Sequence, residues 1–549
     1  MSASMPWHFA AVWDAIAEAV PDAPAVVEGP LRRTWRRYEE RAARVASALV
    51  AAGLGPDSKV AIYGYNSAAY LEALYAVVKA RCVPVNVNYR YAEQELAYLL
   101  DNADAEAVIF DAQFGPRLDA VLPALSGLKL LVEIDDDSDL RLTRAARLET
   151  LVETYPPLTP GDYSEDDIWM LYTGGTTGMP KGVMYRQGDY SRAMLAGFDW
   201  VGLPRPATRE QLQIAVRQLQ ADGRAPVSAP ACPLMHGTGL NGGVLLPHAL
   251  GGCAVVFRNT GFDADALWRL VAAERISDLT IVGDAFARPM LAALEAAEAA
   301  GRPYDVSSLR RILSSGVMFS REMKEGLLRF ADITITDSMG ASEGGMANST
   351  VSRAHPPRET ARFVANPSTR VFTEDGREVT PGSDEVGLIA NGGFSPIGYY
   401  KDSVKTAATF RVIDGQRYSF PGDFAKVAAD GGLILLGRGS NCINTGGEKV
   451  FPEEVEEALK AHAAVTDALV VGLPDARFGE RIVAVVSTAS EDAPDEEGLI
   501  AAVRARIADY KRPRAVVFVR EVRRAPNGKA DYAWARAAAV EALAAAEAR

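Results

Sequence analysis

Short apolar runs of four to six residues recur along the first two thirds of the chain, each separated from the next by a stretch with helical spacing. Runs at 60–63 and 83–87 alternate with helix-like segments such as 38–52, and further strand candidates lie at 107–110, 129–134, 168–172, 254–257, 278–282, 311–314 and 332–336. Helical spacing returns at 264–274, 289–299 and 320–330. Runs this short are strands, and strands joined through helices pair in parallel, so the expected class is α/β, with layered, largely parallel sheets. Beyond about residue 360 the texture changes to short β-like pieces with turn signals at 373–376, 381–384, 414–415 and 430–432, which implies a small β-rich subdomain. A new α/β unit starts after Gly437, with helices at 452–462 and 496–507, strands at 467–472, 482–487 and 515–519, and an Ala/Glu-rich helix from 533 onward. The polar stretch 204–226 reads as a surface excursion with no assigned element.

At 549 residues the chain exceeds what a single core supports, and 48% apolar with 23% charged residues is the balance of a folded multi-domain protein. A net charge of −13 argues against broad nucleic-acid binding, so anionic substrates must meet local positive charge. Cys82, Cys232, Cys253 and Cys442 are far apart, without a CxxC pair, and read as reduced thiols rather than a zinc site or a disulfide framework. The first 18 residues lack the basic start and apolar core of a signal peptide, and no apolar run approaches bilayer length. The expected location is the cytoplasm.

Directly after the run 168–172 stands Thr173-Gly174-Gly175-Thr176-Thr177-Gly178-Met179-Pro180-Lys181-Gly182. The glycines let backbone amides approach phosphate oxygens, the threonines add hydroxyls, and Lys181 adds a positive charge. A Walker A loop is excluded, since no GxxxxGK[ST] string occurs. This segment resembles the signature loop of the acyl-adenylate-forming superfamily, which includes acyl-CoA synthetases, luciferase and the adenylation domains of peptide synthetases. Gly174 departs from that pattern, where serine is common.

The resemblance extends over most of the chain, from about residue 21 to 531, and implies a set of roles. Asp337-Ser338-Met339-Gly340-Ala341-Ser342-Glu343 is similar to the motif in which a hydroxyl, here Ser342, contacts phosphate and a glutamate, here Glu343, helps hold Mg2+, with Thr177 as a second metal contact. Magnesium prefers one or two carboxylates supplemented by phosphate oxygens, which suits that pattern. Met339 stands where an aromatic side chain would lie on adenine. Ser315-Gly316-Val317 resembles the backbone lining adenine and the acyl carboxylate, and Asp423 the aspartate that accepts from both ribose hydroxyls, with Arg438 beyond it.

The run 437–456 resembles an inter-domain hinge followed by a glycine loop. Ser440 and Asn441 occupy hinge positions that relatives fill with charged residues, so the hinge is uncharged. Gly446 and Gly447, with Glu448 and Lys449, would border the pantetheine path, where a side chain would block passage. Lys511 would meet the phosphates of coenzyme A. Lys529, in Pro-Asn-Gly-Lys, matches the catalytic lysine that neutralises charge as pyrophosphate leaves. Thr173, Glu343 and His236 complete the catalytic set that the resemblance implies.

The acyl pocket is expected to draw on His236, Gly237, Gly283, Asp284, Gly316 and Gly340, with His236 gating the junction of the acyl and pantetheine channels. These segments resemble those of bacterial synthetases for fatty acids and steroid side-chain acids. The expected protein is therefore an acyl-CoA synthetase: a hydrophobic acid (fatty, steroid or terpenoid) reacts with ATP to give acyl-AMP, then with CoA. Residues 1–437 would form the adenylation domain and 438–549 a mobile C-terminal domain, with a homodimer left open. Other readings are a member performing mainly one half-reaction, transfer to a carrier-protein thiol, and a non-catalytic binder, the last disfavoured by Lys181, Glu343, Asp423, Arg438 and Lys529 occurring together.

Overall fold

The computed structural model describes residues 5–547, apart from 160, 176–177, 259–260, 358–361, 446–447, 476–478, 490–494, 505, 508 and 525–527. The chain divides into two compact units. The first comprises Met1–Gly345, Thr350–Arg358 and Gly392–Ser419, and the second Met346–Ser349, Glu359–Asn391 and Phe420–Arg549.

Two sheets organise the first unit. One runs Pro24–Glu28, Cys253–Val255, Val227–Pro230, Asp278–Ile281, Arg311–Ser315 and Thr334–Ala341, every neighbouring pair parallel, with Leu31–Thr34 antiparallel at its edge. The other has eight strands and a parallel centre in which Val83–Asn86, Lys59–Tyr63, Ala105–Asp111 and Leu130–Ile134 lie side by side. Its strands alternate between two cores. Val60 and Ile62 face the helices Phe9–Ala19, Trp35–Ala51 and Ala68–Lys79, whereas Ala61 and Tyr63 face Glu93–Asn102 and Gly115–Val121. Val26 and Ala254 of the first sheet enter the same central helical layer, and Val27 and Val255 turn to the helices Ala264–Glu274, Gly283–Ala299 and Arg321–Phe330. The result is five layers, helix and sheet in alternation. Strands buried on both faces read as continuous apolar runs, which is why they are visible in sequence.

The unassigned stretch 204–226 contains the helix Arg209–Ala221. Thr208 caps it by accepting from the Gln211 amide at 3.2 Å, and Leu212, Val216 and Leu219 at helical spacing are buried against the first helix of the chain. Its polar residues cover the outer face only. Among the described residues no helix is long and apolar enough to cross a membrane.

The second unit holds an antiparallel β group, in which Asp423–Val427 pairs with Leu433–Arg438 and with Gly387–Asn391, and a five-stranded sheet. In that sheet Val465–Asp475 runs antiparallel to Gly479–Thr488, which pairs in parallel with Ala515–Phe518. The helices Pro452–Lys460 and Glu496–Arg504 pack on one face and Tyr532–Glu547 on the other.

The central helical layer carries a titration that acid conditions reveal. His248 is fully buried among the rings of Trp13, Trp35 and Tyr38, and its Nε2 donates to the Ala25 carbonyl at 3.0 Å. Its Nδ1 has no partner among the described residues, and burial lowers the pKa from 6.5 to about 4. Below pH 6.5 the unfolded chain gains a proton that the folded chain refuses, so this contribution to stability falls as pH drops from 6.5 towards 4. Between pH 6.5 and pH 5 the loss amounts to ~2 kcal/mol. Urea unfolding of the wild type and His248→Gln at both pH values is expected to give the wild type the steeper loss, by about one proton.

Candidate active site

The phosphate-loop candidate lies in a hairpin: Ile168–Gly175 runs antiparallel to Gly178–Arg186, and Thr173 stands opposite Lys181. Thr176 and Thr177 lie outside the described residues, as do the side chains at 174–178. Gly182 is required by close approach, since a Cβ there would sit 2.6 Å from Met170 Sδ and 2.8 Å from the Tyr172 ring. The hairpin root is fixed by Asn86, at the carboxyl end of its strand. Its Oδ1 accepts from the Tyr172 amide at 2.7 Å, and its Nδ2 donates to the carbonyls of Tyr172 at 2.9 Å and Met235 at 2.7 Å. One amide thus ties the loop to the segment preceding His236.

Lys181 and Glu343, far apart in sequence, are joined through the segment 398–402. Gly398 and Tyr399 pair with Met184 and Val183 at the hairpin edge. Lys181 Nζ contacts Asp402 Oδ2 at 2.5 Å and lies 6.0 Å from the centre of the Tyr399 ring, while the Tyr399 hydroxyl donates to Glu343 Oε1. The bond from Lys181 is the largest of the influences that hold the Asp402 carboxyl below the usual carboxylate range. Ser419 Oγ donates to the Glu343 carbonyl at 2.8 Å, and the Tyr185 hydroxyl donates to the Ser342 carbonyl. Sequence reasoning missed Asn86, Tyr399 and Asp402. Only the position of Asn86, where a polar residue ends a buried strand, signalled it.

The two segments expected to line adenine and the acyl carboxylate end neighbouring parallel strands, with Ser314 opposite Asp337 and Ser315 opposite Ser338. Along Thr334–Ala341, Asp337 and Met339 are buried and Ser338 and Gly340 are partly exposed. Asp337 turns inward to Lys324 at 3.0 Å, and burial raises its pKa to about 6. Its side chain braces the helix Arg321–Phe330. Asp284 is likewise engaged, accepting from the Ser320 amide at 2.8 Å through its carboxylate. Gly283 has φ +49°, and a Cβ would lie 2.3 Å from the Met318 carbonyl oxygen. Gly283→Ala is expected to cost about 2–4 kcal/mol, read as a lower midpoint in urea unfolding.

On the acyl side, His236 precedes the short helix Gly237–Leu240, which continues as a π-helical turn, Asn241–Leu245. Such turns concentrate at functional sites. Gly242 and Gly243 press on Thr280, Leu313 and Pro230, and the Tyr190 hydroxyl donates to Asn241 Oδ1 at 2.5 Å. Gly316 adjoins this element: a Cβ there would lie 3.7 Å from Thr238 Oγ1 and 3.9 Å from Val282.

In the second unit Asp423 is buried and paired in register with Arg438, whose side chain lies outside the described set. Ser440 and Asn441 fall in the turn Gly439–Asn441, again with the Ser440 side chain undescribed. Gly446 and Gly447 lie outside the described residues, as do the side chains of Glu448 and Lys449. Lys511 is paired with both carboxylate oxygens of Glu454, at 2.5 and 2.7 Å. Lys529 is exposed on a turn closed by a bridge between Arg524 and Ala530. Arg524 anchors that turn, donating to Asp467 at 2.5 and 2.7 Å and to the Gly528 carbonyl at 3.3 Å.

The family described as AMP-binding enzyme matches residues 13–395, and its C-terminal domain, described as AMP-binding enzyme C-terminal domain, matches residues 454–529. A Mycolicibacterium smegmatis protein named medium/long-chain-fatty-acid--CoA/3-oxocholest-4-en-26-oate--CoA ligase is 41% identical over 526 residues, covering 94% of each chain. A Rhodococcus rhodochrous 3-oxocholest-4-en-26-oate--CoA ligase is 41% identical over 528 residues, covering 94% of this chain and 93% of that protein. The fold is that of the anthranilate CoA ligase AuaEII solved with anthranoyl-AMP, at a TM-score of 0.84 and 22% identity over 99% of this chain and 98% of that one. The two matched segments, with relatives 41% identical over 94% of the chain, place the chain in the AMP-binding enzyme family.

Proposed function

We propose that the protein is an AMP-forming acyl-CoA ligase of the cytoplasm acting on a hydrophobic carboxylic acid, of the medium- to long-chain fatty or steroid side-chain class. The observation that carries this reading is the 41% identity, across 94% of the chain, to two ligases named for 3-oxocholest-4-en-26-oate. In the first half-reaction a carboxylate oxygen attacks the α-phosphorus of ATP, and pyrophosphate leaves. In the second, the CoA sulfur attacks the acyl carbonyl and AMP leaves. Lys181 and the hairpin amides would bind the triphosphate, Asp423 the ribose, and His236 and Gly316 would border the acid.

Glu343 fits a magnesium role by its chemistry: it is a hard oxygen donor, held by the Tyr399 hydroxyl at Oε1. A lone carboxylate plus phosphate oxygens is the arrangement magnesium uses, and bound there it would neutralise charge on the phosphates. Lys529 serves the adenylation step, and the uncharged hinge at Ser440 and Asn441 would carry the swing that exchanges it for the CoA path. Acid-dependent exchange of pyrophosphate into ATP tests the substrate class. Dodecanoate and a steroid side-chain acid are expected to exceed acetate by about 10²-fold or more in kcat/KM, because each buried methylene contributes ~0.8 kcal/mol. Equal exchange with acetate would contradict a large apolar pocket.

A further inference from the structure

A phosphate-binding lysine and a metal-binding carboxylate in one site face a common difficulty, because opposite charges at close range pair with each other and are lost to the ligand. Here each has its own partner. Lys181 lies against Asp402 at 2.5 Å, and the Glu343 carboxylate accepts the Tyr399 hydroxyl. The Tyr399 ring lies 6.0 Å from the Lys181 ammonium and carries the hydroxyl that donates to Glu343.

Both partners are themselves held. The Tyr399 amide donates to Thr406 Oγ1 at 2.9 Å, and that hydroxyl donates to the Asp402 carbonyl at 2.7 Å. Asp402 caps the helix Ser403–Thr409, accepting from the Lys405 amide at 2.8 Å through the oxygen that Lys181 does not use. Resting on the nucleotide-binding reading given above, we infer that Tyr399 and Asp402 are positioning residues of the triphosphate site: Asp402 is the counter-ion that a phosphate must displace from Lys181, and Tyr399 keeps Lys181 and Glu343 apart and aims the carboxylate.

Two isosteric variants test this by ATP binding in titration calorimetry, with no acid or CoA present. Asp402→Asn keeps the cap oxygen and removes the charge. It should bind ATP about 2- to 5-fold more tightly than the wild type, the gain shrinking in high salt, as expected for a partly exposed ion pair. Unchanged or weaker binding overturns the counter-ion role. Tyr399→Phe keeps the ring and removes the hydroxyl. The tightening of ATP binding by Mg2+ over EDTA should drop by about 3- to 10-fold. An equal loss with and without Mg2+ would mean that Tyr399 acts only through the fold, and no loss would mean that it does not aim Glu343. Failure of the wild type to bind ATP would instead remove the nucleotide reading on which this inference rests, a distinct result from failure of either variant.

Discussion

Lys529→Ala is expected to lower acyl-AMP formation by about 10²- to 10³-fold while leaving thioester formation from supplied acyl-AMP and CoA within a few-fold of the wild type. A charge that acts only as pyrophosphate departs contributes to one transition state and not to the other. Arg524 holds the neighbourhood of Lys529 through Asp467 and the Gly528 carbonyl, and these bonds remain in the variant. Single-turnover measurement of each half-reaction separates the two steps. Equal loss in both would show that Lys529 supports the domain and not the chemistry.

The converse is expected of Gly447→Leu, with pyrophosphate exchange retained and CoA ester formation lost by about 10²-fold or more. A thin pantetheine arm can cross a backbone that carries no side chain, and a leucine would fill that space. The strands on either side, Ile443–Thr445 and Glu448–Val450, pair with Thr445 opposite Glu448, so only Gly446 and Gly447 join them. Measured with the same two assays, unchanged CoA turnover would place the pantetheine elsewhere. Together the two variants should dissociate the half-reactions in opposite directions.

Most of the fold is legible in the sequence, for a physical reason. Strands covered on both faces are apolar throughout, so 60–63, 107–110 and 254–257 announce themselves without reference to neighbours. The helix Arg209–Ala221 does not, because its buried stripe is only Leu212, Val216 and Leu219 within a polar stretch. The site divides similarly. Lys181 and Glu343 lie in local motifs, and a local motif can be read from neighbours alone. Tyr399 and Asp402 carry no such signature, since what defines them is contact with residues 221 and 56 positions away in the chain. Asp337 illustrates the opposite gap: its motif suggests a ligand contact, while strand alternation turns its side chain inward to Lys324.

The central claim is tested most directly by incubating the protein with ATP, Mg2+, CoA and a panel of carboxylic acids, with a carrier-protein thiol as competing acceptor, and identifying products by mass spectrometry. Stoichiometric AMP and a CoA thioester are expected with long-chain or steroid side-chain acids. AMP release without a CoA thioester, or no AMP from any acid in the panel, would contradict it.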